Sequence, residues 1–358
     1  MNDSAAAPWI SRPAARPWTC APLASGARAF HASLPDYAPT PLTQIPALAA
    51  ELGVGRLFVK DESSRLGLPA FKALGASWAI RRALDQRGAR ADGQPHVFVC
   101  ATDGNHGRAV ARFAARLGHR AIVVVAPGIH PAAVEAIRAE GAEVVEGATS
   151  YDDAVERAAS IAAAADGILI QDTSWPGYEQ IPTWIVEGYE TLCAEVDEQL
   201  GAAGAGAPDL VVVPVGVGSL AQAVIAHYRS SSATSRPAIL AVEPQAAACV
   251  LASLRAGEPK TIETSDTVMA GLNCGTPSSL AWPYLRDGLD AAVAINDATC
   301  LTAVTDLARL GINAGPCGAA ALAALRAVRG ELDLRRDAVV VLLSTEGSAA
   351  NPHGAGEV

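Results

Sequence analysis

The sequence predicts an α/β protein of two doubly wound domains. From His96 onward, short β-branched runs alternate with helix-length stretches in a strand, loop, helix rhythm, which implies parallel strands joined by βαβ crossovers. The rhythm comes in two series, the second opening with the long helical run IPTWIVEGYETLCAEVDEQL. With 358 residues the chain is long enough to bury two cores. The break between the series places a smaller domain at residues 85–170 and a larger one over 1–84 together with 171–358.

Residues 1 to about 40 are rich in Pro, Ala and Arg and lack periodicity, so they read as an extended arm that wraps the body or a partner subunit. Thr40-Pro41-Leu42 leads into IPALAAELG, an amphipathic helix closed by Gly53. GRLFVKDES is a strand, and Ala70 to about Gln86 is a helix that starts near Lys72. In the first series HVFVCAT, RAIVVVA, AEVVEG and GILIQD are strands. GRAVARFAARLG, PAAVEAIRAEG and YDDAVERAASIAAAA are the helices between them, with Pro131 suited to a first turn. GAAGAGAP links the long helix to DLVVVPV, a buried strand followed by the helix SLAQAVIAHYRSS and the strand PAILAVEP. AINDATCLTAVTDLARLG, a helix from Cys317 to Val328 and the buried strand DAVVVLLS complete the chain. No period of roughly 20 to 50 residues recurs, so the chain is not a solenoid.

Half of the residues are hydrophobic, yet no apolar run approaches the roughly 20 residues of a membrane span, so a soluble protein is expected. A formal charge of −10 without any Lys/Arg cluster argues against nucleic acid as a partner. Seven cysteines (20, 100, 193, 249, 274, 300 and 317) are scattered with no CxxC pair and no His/Cys group at ligand spacing, which argues against a metal site. MNDSAAAPWISRPAARP has no continuous apolar core of the signal-peptide kind, so the cytoplasm is the expected location.

Arginine carries nearly all the basic charge; the lysines are Lys60, Lys72 and Lys260. Lys60 ends the run LFVK and precedes Asp61 and Glu62, so it reads as a solvated strand end. Lys260 sits in the polar loop EPKTIET. Lys72 alone is flanked by Phe71, Ala73, Leu74 and Gly75, which bury its stem and strip away water. Desolvation disfavours the charged amine and lowers its pKa, as an imine-forming lysine requires. A helix lysine that snorkels to solvent is the alternative reading of the same neighbours.

In open parallel sheets, ligands bind beyond the carboxyl ends of the strands. Four polar or Gly-rich elements occupy such ends: ATDGNHGR (101–108), QDTSW (171–175), GVGSL (216–220) and STEG (344–347). GVGSL runs into a helix, whose free amides and dipole suit an anion; an ordinary βα turn is the alternative. It matches neither the dinucleotide nor the P-loop pattern. Asp103, Asn105 and His106 share one strand-to-helix turn, as helix caps or as site residues. Asp172 directly follows an apolar strand, where a turn residue is also expected. Two carboxylates and a desolvated amine around one phosphate-sized site suggest proton transfer beside a covalently held cofactor.

Taken in order, Lys72 in AFKALGAS, Asn105 in TDGNHGR, the loop GVGSL and the terminal STEG resemble the tryptophan-synthase-β-like pyridoxal-phosphate enzymes of fold type II. ATDGNHGRAVA, QDTSWPGYEQIPTWIVEGY, VEPQAAAC and TVMAGLNCGTP draw the likeness closest to the diaminopropionate ammonia-lyase family, over roughly residues 38–350. The resemblance implies pyridoxal 5'-phosphate as cofactor, Lys72 as the lysine of the internal aldimine and Phe71 packed near the ring. It implies Asn105 at the ring hydroxyl and Gly216, Val217, Gly218, Ser219 and Leu220 around the phosphate. Ser344, or the adjacent Thr345, would meet the pyridine nitrogen, and Asp103 and Asp172 would be the acids that handle the two substrate enantiomers. A small amino-acid substrate, elimination of β-ammonia from 2,3-diaminopropionate to give pyruvate and ammonia, and a homodimer follow from the same likeness. The alternative is a serine/threonine dehydratase or a β-replacement enzyme of the same fold; Asp103, where most type II relatives carry a neutral residue, favours the diamino substrate. The loop AGPCGAAAL departs from the more acidic loop of the family pattern. Cys249 and Cys274 fall where some members place a disulfide, and here two buried free thiols are expected.

Overall fold

Strands that read as unbroken apolar runs need cover on both faces, and the chain supplies it with helices on either side of two sheets. The computed structural model describes residues 7–24, 26–102 and 104–350. In chain order the elements are β1 (Trp9–Ser11), α1 (Ala27–Ala32), β2 (Leu42–Gln44), α2 (Pro46–Leu52), β3 (Arg56–Asp61) and α3 (Lys72–Arg87). Next come β4 (Val97–Thr102), α4 (Asn105–Arg116), β5 (Arg120–Val125), α5 (Pro131–Ala139), β6 (Glu143–Val145), α6 (Tyr151–Ala164) and β7 (Ile168–Leu169). The long helix α7 (Gln180–Ala202) leads to β8 (Leu210–Pro214), α8 (Ser219–Arg229), β9 (Ala238–Pro244), α9 (Cys249–Ala256) and α10 (Trp282–Gly288). β10 (Ala291–Ile295), α11 (Asp297–Arg309), α12 (Pro316–Val328) and β11 (Val339–Ser344) follow.

One sheet has the order β1-β10-β9-β8-β11-β3-β2, parallel except for the antiparallel edges β1 and β2. The other has the order β6-β5-β4-β7, all parallel, and its strands lie between Val97 and Leu169. Every residue of β4, β8, β9, β10 and β11 is buried. Side chains alternate between faces, so Val211, Val213 and Val341 pack with α7 and α8. Leu210, Val212 and Val340 turn the other way, onto α2, α11 and α12. Phe98 and Cys100 of β4 belong to the first of these clusters, so one core runs beneath both sheets.

The joint between α3 and α7 is unusually close. A Cβ on Gly75 would sit 2.6 Å from Cε1 of Tyr189, and one on Gly188 would sit 2.6 Å from the main-chain oxygen of Leu74. Ahead of α3 the chain makes a tight turn at Arg65–Gly67, with buried Leu66 in the left-handed region at φ 52°.

Two expectations need correction. The arm over residues 1–40 carries more structure than its composition implies: β1 pairs with β10, and buried His31 of α1 bonds Thr191 Oγ1 at 2.8 Å and the Leu74 carbonyl at 3.0 Å. Its partners come from distant chain, which local periodicity does not register. Lys60 is not a solvated strand end but fully buried, its Nζ donating to Glu195 Oε2 at 2.6 Å, Thr40 O at 2.8 Å and Gln199 Oε1 at 2.9 Å. The stretch from Ala294 divides between β10 and α11, because Asn296 Oδ1 accepts the Thr299 amide at 2.9 Å and caps the helix there. Among the described residues no helix is long and apolar enough to cross a membrane.

Candidate active site

The carboxyl ends of β4, β7, β8 and β11 meet at a cleft lined from both sheets. Lys72 enters it as the first residue of α3. Its Nζ is hydrogen-bonded and ion-paired to Oδ2 of Asp172, with 18 % of the lysine side chain and 8 % of the aspartate side chain exposed. The apolar neighbours therefore do not leave the amine bare; a carboxylate from the end of β7 supplies the counter-charge that the flanking residues could not reveal. Burial alone pushes the Asp172 carboxyl up, but the charges of Lys72 and His106 and the bond from Lys72 outweigh it and hold the group down, at about 2.

Phe71, just before the lysine, packs its ring 4.7 Å from that of Tyr189 and lies 5.4 Å from Lys72 Nζ. His106 in the first turn of α4 donates Nε2–H to the carbonyl of Ile170 at 2.6 Å. Its Nδ1 lies 3.9 Å from Asp172 Oδ2 and has no hydrogen-bond partner among the described residues. Thr102 Oγ1 accepts the amides of Gly104 and Gly107 at 2.9 Å each and folds the turn that presents Asn105. Asn105 Nδ2 donates to Glu346 Oε2 at 2.6 Å. Asp103 lies outside the described residues.

The GVGSL turn joins β8 to α8. Gly218 has φ 103°, and a Cβ there would sit 2.7 Å from Leu285 Cδ1, so the position requires glycine twice over. On Gly216 a Cβ would lie 3.0 Å from Cys274 Sγ. The first amides of α8 lack intrahelical acceptors and carry the positive end of the helix dipole, a site for an anionic group. Ser219 Oγ donates to the Asp172 carbonyl at 2.8 Å, so its hydroxyl proton is committed and its main-chain N–H is what it offers an anion. At the end of β11, Ser344 Oγ and Thr345 Oγ1 are buried without a partner among the described residues; Thr345 lines the cleft. A phosphorylated aromatic aldehyde fits this donor set, with an amine for the aldehyde, a glycine turn for the phosphate and orphaned hydroxyls for a ring nitrogen.

Tyr151, which lines the cleft, and Glu346 beside it were not among the site residues expected from the sequence, and His106, weighed there as a cap or a site residue, lines the cleft. Tyr151 opens α6, its hydroxyl accepting Gln171 Nε2–H at 2.9 Å. His106 and Glu346 lie inside motifs already singled out, and only the pairing across the cleft separates them from helix-cap and turn residues. Cys249 is buried, its thiol pushed up first by burial and then by the neighbouring Glu243 and Cys274. Cys274 corrects the expectation of two buried thiols: it is half-buried at the cleft wall, because the loop that carries it faces the opening rather than the core. Tyr151, Val217 and Cys274 also border a wider cleft, which opens the site outward.

A model of the pyridoxal-phosphate dependent enzymes matches residues 34–346. The chain is similar to the diaminopropionate ammonia-lyase of Salmonella typhimurium, at 37 % identity over 90 % of this chain and 88 % of the relative. It is similar to that of Escherichia coli K12 at 35 % identity, over 91 % and 89 %. The crystal structure of the Escherichia coli enzyme with an aminoacrylate-PLP azomethine reaction intermediate superimposes with a TM-score of 0.87 at 33 % identity, covering 96 % of each chain. The chain thus belongs to the pyridoxal-phosphate dependent enzymes and, within them, to the diaminopropionate ammonia-lyase family.

Proposed function

We propose that this protein eliminates β-ammonia from 2,3-diaminopropionate; the aminoacrylate that leaves takes up water and yields pyruvate and a second ammonia. The observation that carries the reading is the Lys72–Asp172 pair at the mouth of both sheets, an amine and a carboxylate within one proton's reach. Bound to an amino acid's nitrogen, pyridoxal phosphate withdraws electrons from the α-carbon and makes its proton removable.

The chain's own residues supply the rest. Lys72 Nζ would hold the cofactor covalently, the amides of 216–220 would bind its phosphate, and Phe71 would pack beside its ring. Asn105 would meet the ring oxygen, and Ser344 or Thr345 the ring nitrogen. A neutral hydroxyl there, unlike a carboxylate, does not hold a proton on the ring, which favours prompt loss of the β-group. Asp172, held low while the Lys72 amine is free, would accept a proton at Oδ2 or pair with a β-ammonium. Asp103 is the second acid of the reading. The sheet membership of β4 to β7 supports residues 85–170 as the smaller domain, and family likeness supports a homodimer.

The test is a panel of amino acids given to the purified, cofactor-loaded protein, with pyruvate, 2-oxobutyrate and ammonia measured. Two ammonia per pyruvate from 2,3-diaminopropionate is the expected result. Pyruvate from serine with none from the diamino acid would replace this reading with a dehydratase.

A further inference from the structure

Glu346 lies in the turn that follows β11 and is 2 % exposed. Its Oε2 accepts Asn105 Nδ2–H at 2.6 Å, and its Oε1 accepts the main-chain N–H of Cys317 at 3.2 Å, in the first turn of α12. One side chain thus ties the end of the seven-stranded sheet to two helix N-termini, that of α12 behind it and that of α4 across the cleft. The structure clears space for it. A Cβ on Gly315 would lie 3.2 Å from Glu346 Oε1, and one on Gly318 would lie 2.5 Å from its main-chain oxygen and 2.7 Å from Ser344 Oγ. An acidic group is costly to bury, and this one is held where a helix dipole and two N–H donors meet it.

The consequence falls on Asn105. Its amide presents two N–H donors at one end and only an acceptor at the other. A carboxylate accepts only, so the amide has one satisfying orientation; the flipped form would set two oxygens about as close as the present bond. We propose that Glu346 is a positioning residue for Asn105: it locks the amide with its NH₂ end inward, leaving the second N–H as the donor for the ring oxygen of the cofactor. The proposal rests on the reading that Asn105 meets that oxygen. A donor facing the oxygen stabilises its negative charge, whereas an amide free to flip can set an acceptor there instead. The oxygen shares a proton with the nitrogen bonded to Lys72, so loss of the donor strengthens the hold on that proton.

The measurement is a pH titration of the visible absorbance of the cofactor-loaded protein, for wild type, Asn105→Ala, Glu346→Ala and the double variant. Asn105→Ala is expected to raise the midpoint by about one pH unit, and Glu346→Ala to raise it in the same direction. The double variant should match Asn105→Ala, because the two act through one contact. Glu346→Asp, whose shorter carboxylate still caps α12 but retreats from Asn105, should give a smaller rise and decides the matter if the alanine variant does not fold. A midpoint unmoved by Asn105→Ala would remove the Asn105 reading itself. A midpoint moved by Asn105→Ala but not by the folded Glu346 variants, or shifts that add in the double variant, would overturn only the role of Glu346. A merely structural glutamate would lower the melting temperature and leave the midpoint in place.

Discussion

At the scale of single residues, Asp172 is where charge and position agree. The aspartate has 8 % of its side chain exposed and the lysine opposite it 18 %, so water screens the pair little. While the Lys72 amine is free, its charge and bond, with the charge of His106, hold the carboxyl low, at about 2, and only an ionised carboxylate takes up a proton or counters an ammonium. Asp172→Asn keeps the shape and removes both abilities. We expect turnover to fall by about 10²- to 10⁴-fold while the dissociation constant of the cofactor changes far less. Steady-state rates and a cofactor titration on the same protein check it; equal losses in both would make Asp172 a structural residue. This residue was half legible in the sequence. Its place after an apolar strand pointed to the mouth of a parallel sheet, but nothing local connected it to a lysine 100 positions earlier.

At the scale of elements, the helix that carries Lys72 owes its placement to two glycines. Gly75 on α3 and Gly188 on α7 let the two backbones approach until a Cβ on either would collide, on Gly188 with backbone rather than a flexible side chain. Gly188→Ala must push the helices apart, and we expect a loss of about 1–3 kcal/mol in urea unfolding. Gly201 near the end of the same helix is the internal control. A Cβ there meets nothing within 4 Å, so Gly201→Ala should be neutral or stabilise by about 0.4–1 kcal/mol. Equal effects at the two sites would show that helix propensity, not interhelical contact, governs α7. Elements of this length were legible because their apolar period runs for several turns. The short pieces were not: β1, α9 and α10 span 3, 8 and 7 residues and are defined by what they pack against.

At the scale of the whole molecule, the hidden organiser is a buried cluster of charge that no local pattern announced. Lys60 at the end of β3, Glu62 and Arg65 in the turn before α3, and Glu195 on α7 all have side chains at 0 % exposure. Arg65 donates to Glu195 Oε1 at 2.6 Å and to Glu62 Oε1 at 2.7 Å, and the hydroxyl of Tyr37 in the arm donates to Glu195 at 2.8 Å. The arm, the large sheet, the approach to Lys72 and α7 are thus pinned at one point. Removing one member leaves buried charge uncompensated, so Glu195→Gln should destabilise the protein by about 3–5 kcal/mol at neutral pH. The pH dependence has a definite sign. Burial pushes the Glu195 carboxyl up, yet the bonds and charges of Arg65 and Lys60 prevail and take it from its ordinary 4.5 to about 2 in the folded state. A group depressed on folding contributes its stability in full above the unfolded value and loses it as pH falls through the folded one. The gap between wild type and Glu195→Gln should therefore hold constant down to pH 4.5 and shrink progressively towards pH 2. Carboxylates outside the cluster titrate in that window too, but they are common to both proteins and cancel in the difference. Urea midpoints of the two proteins across the window measure it, and a gap that stays constant to the acid end would mean that the cluster is held by shape rather than by charge.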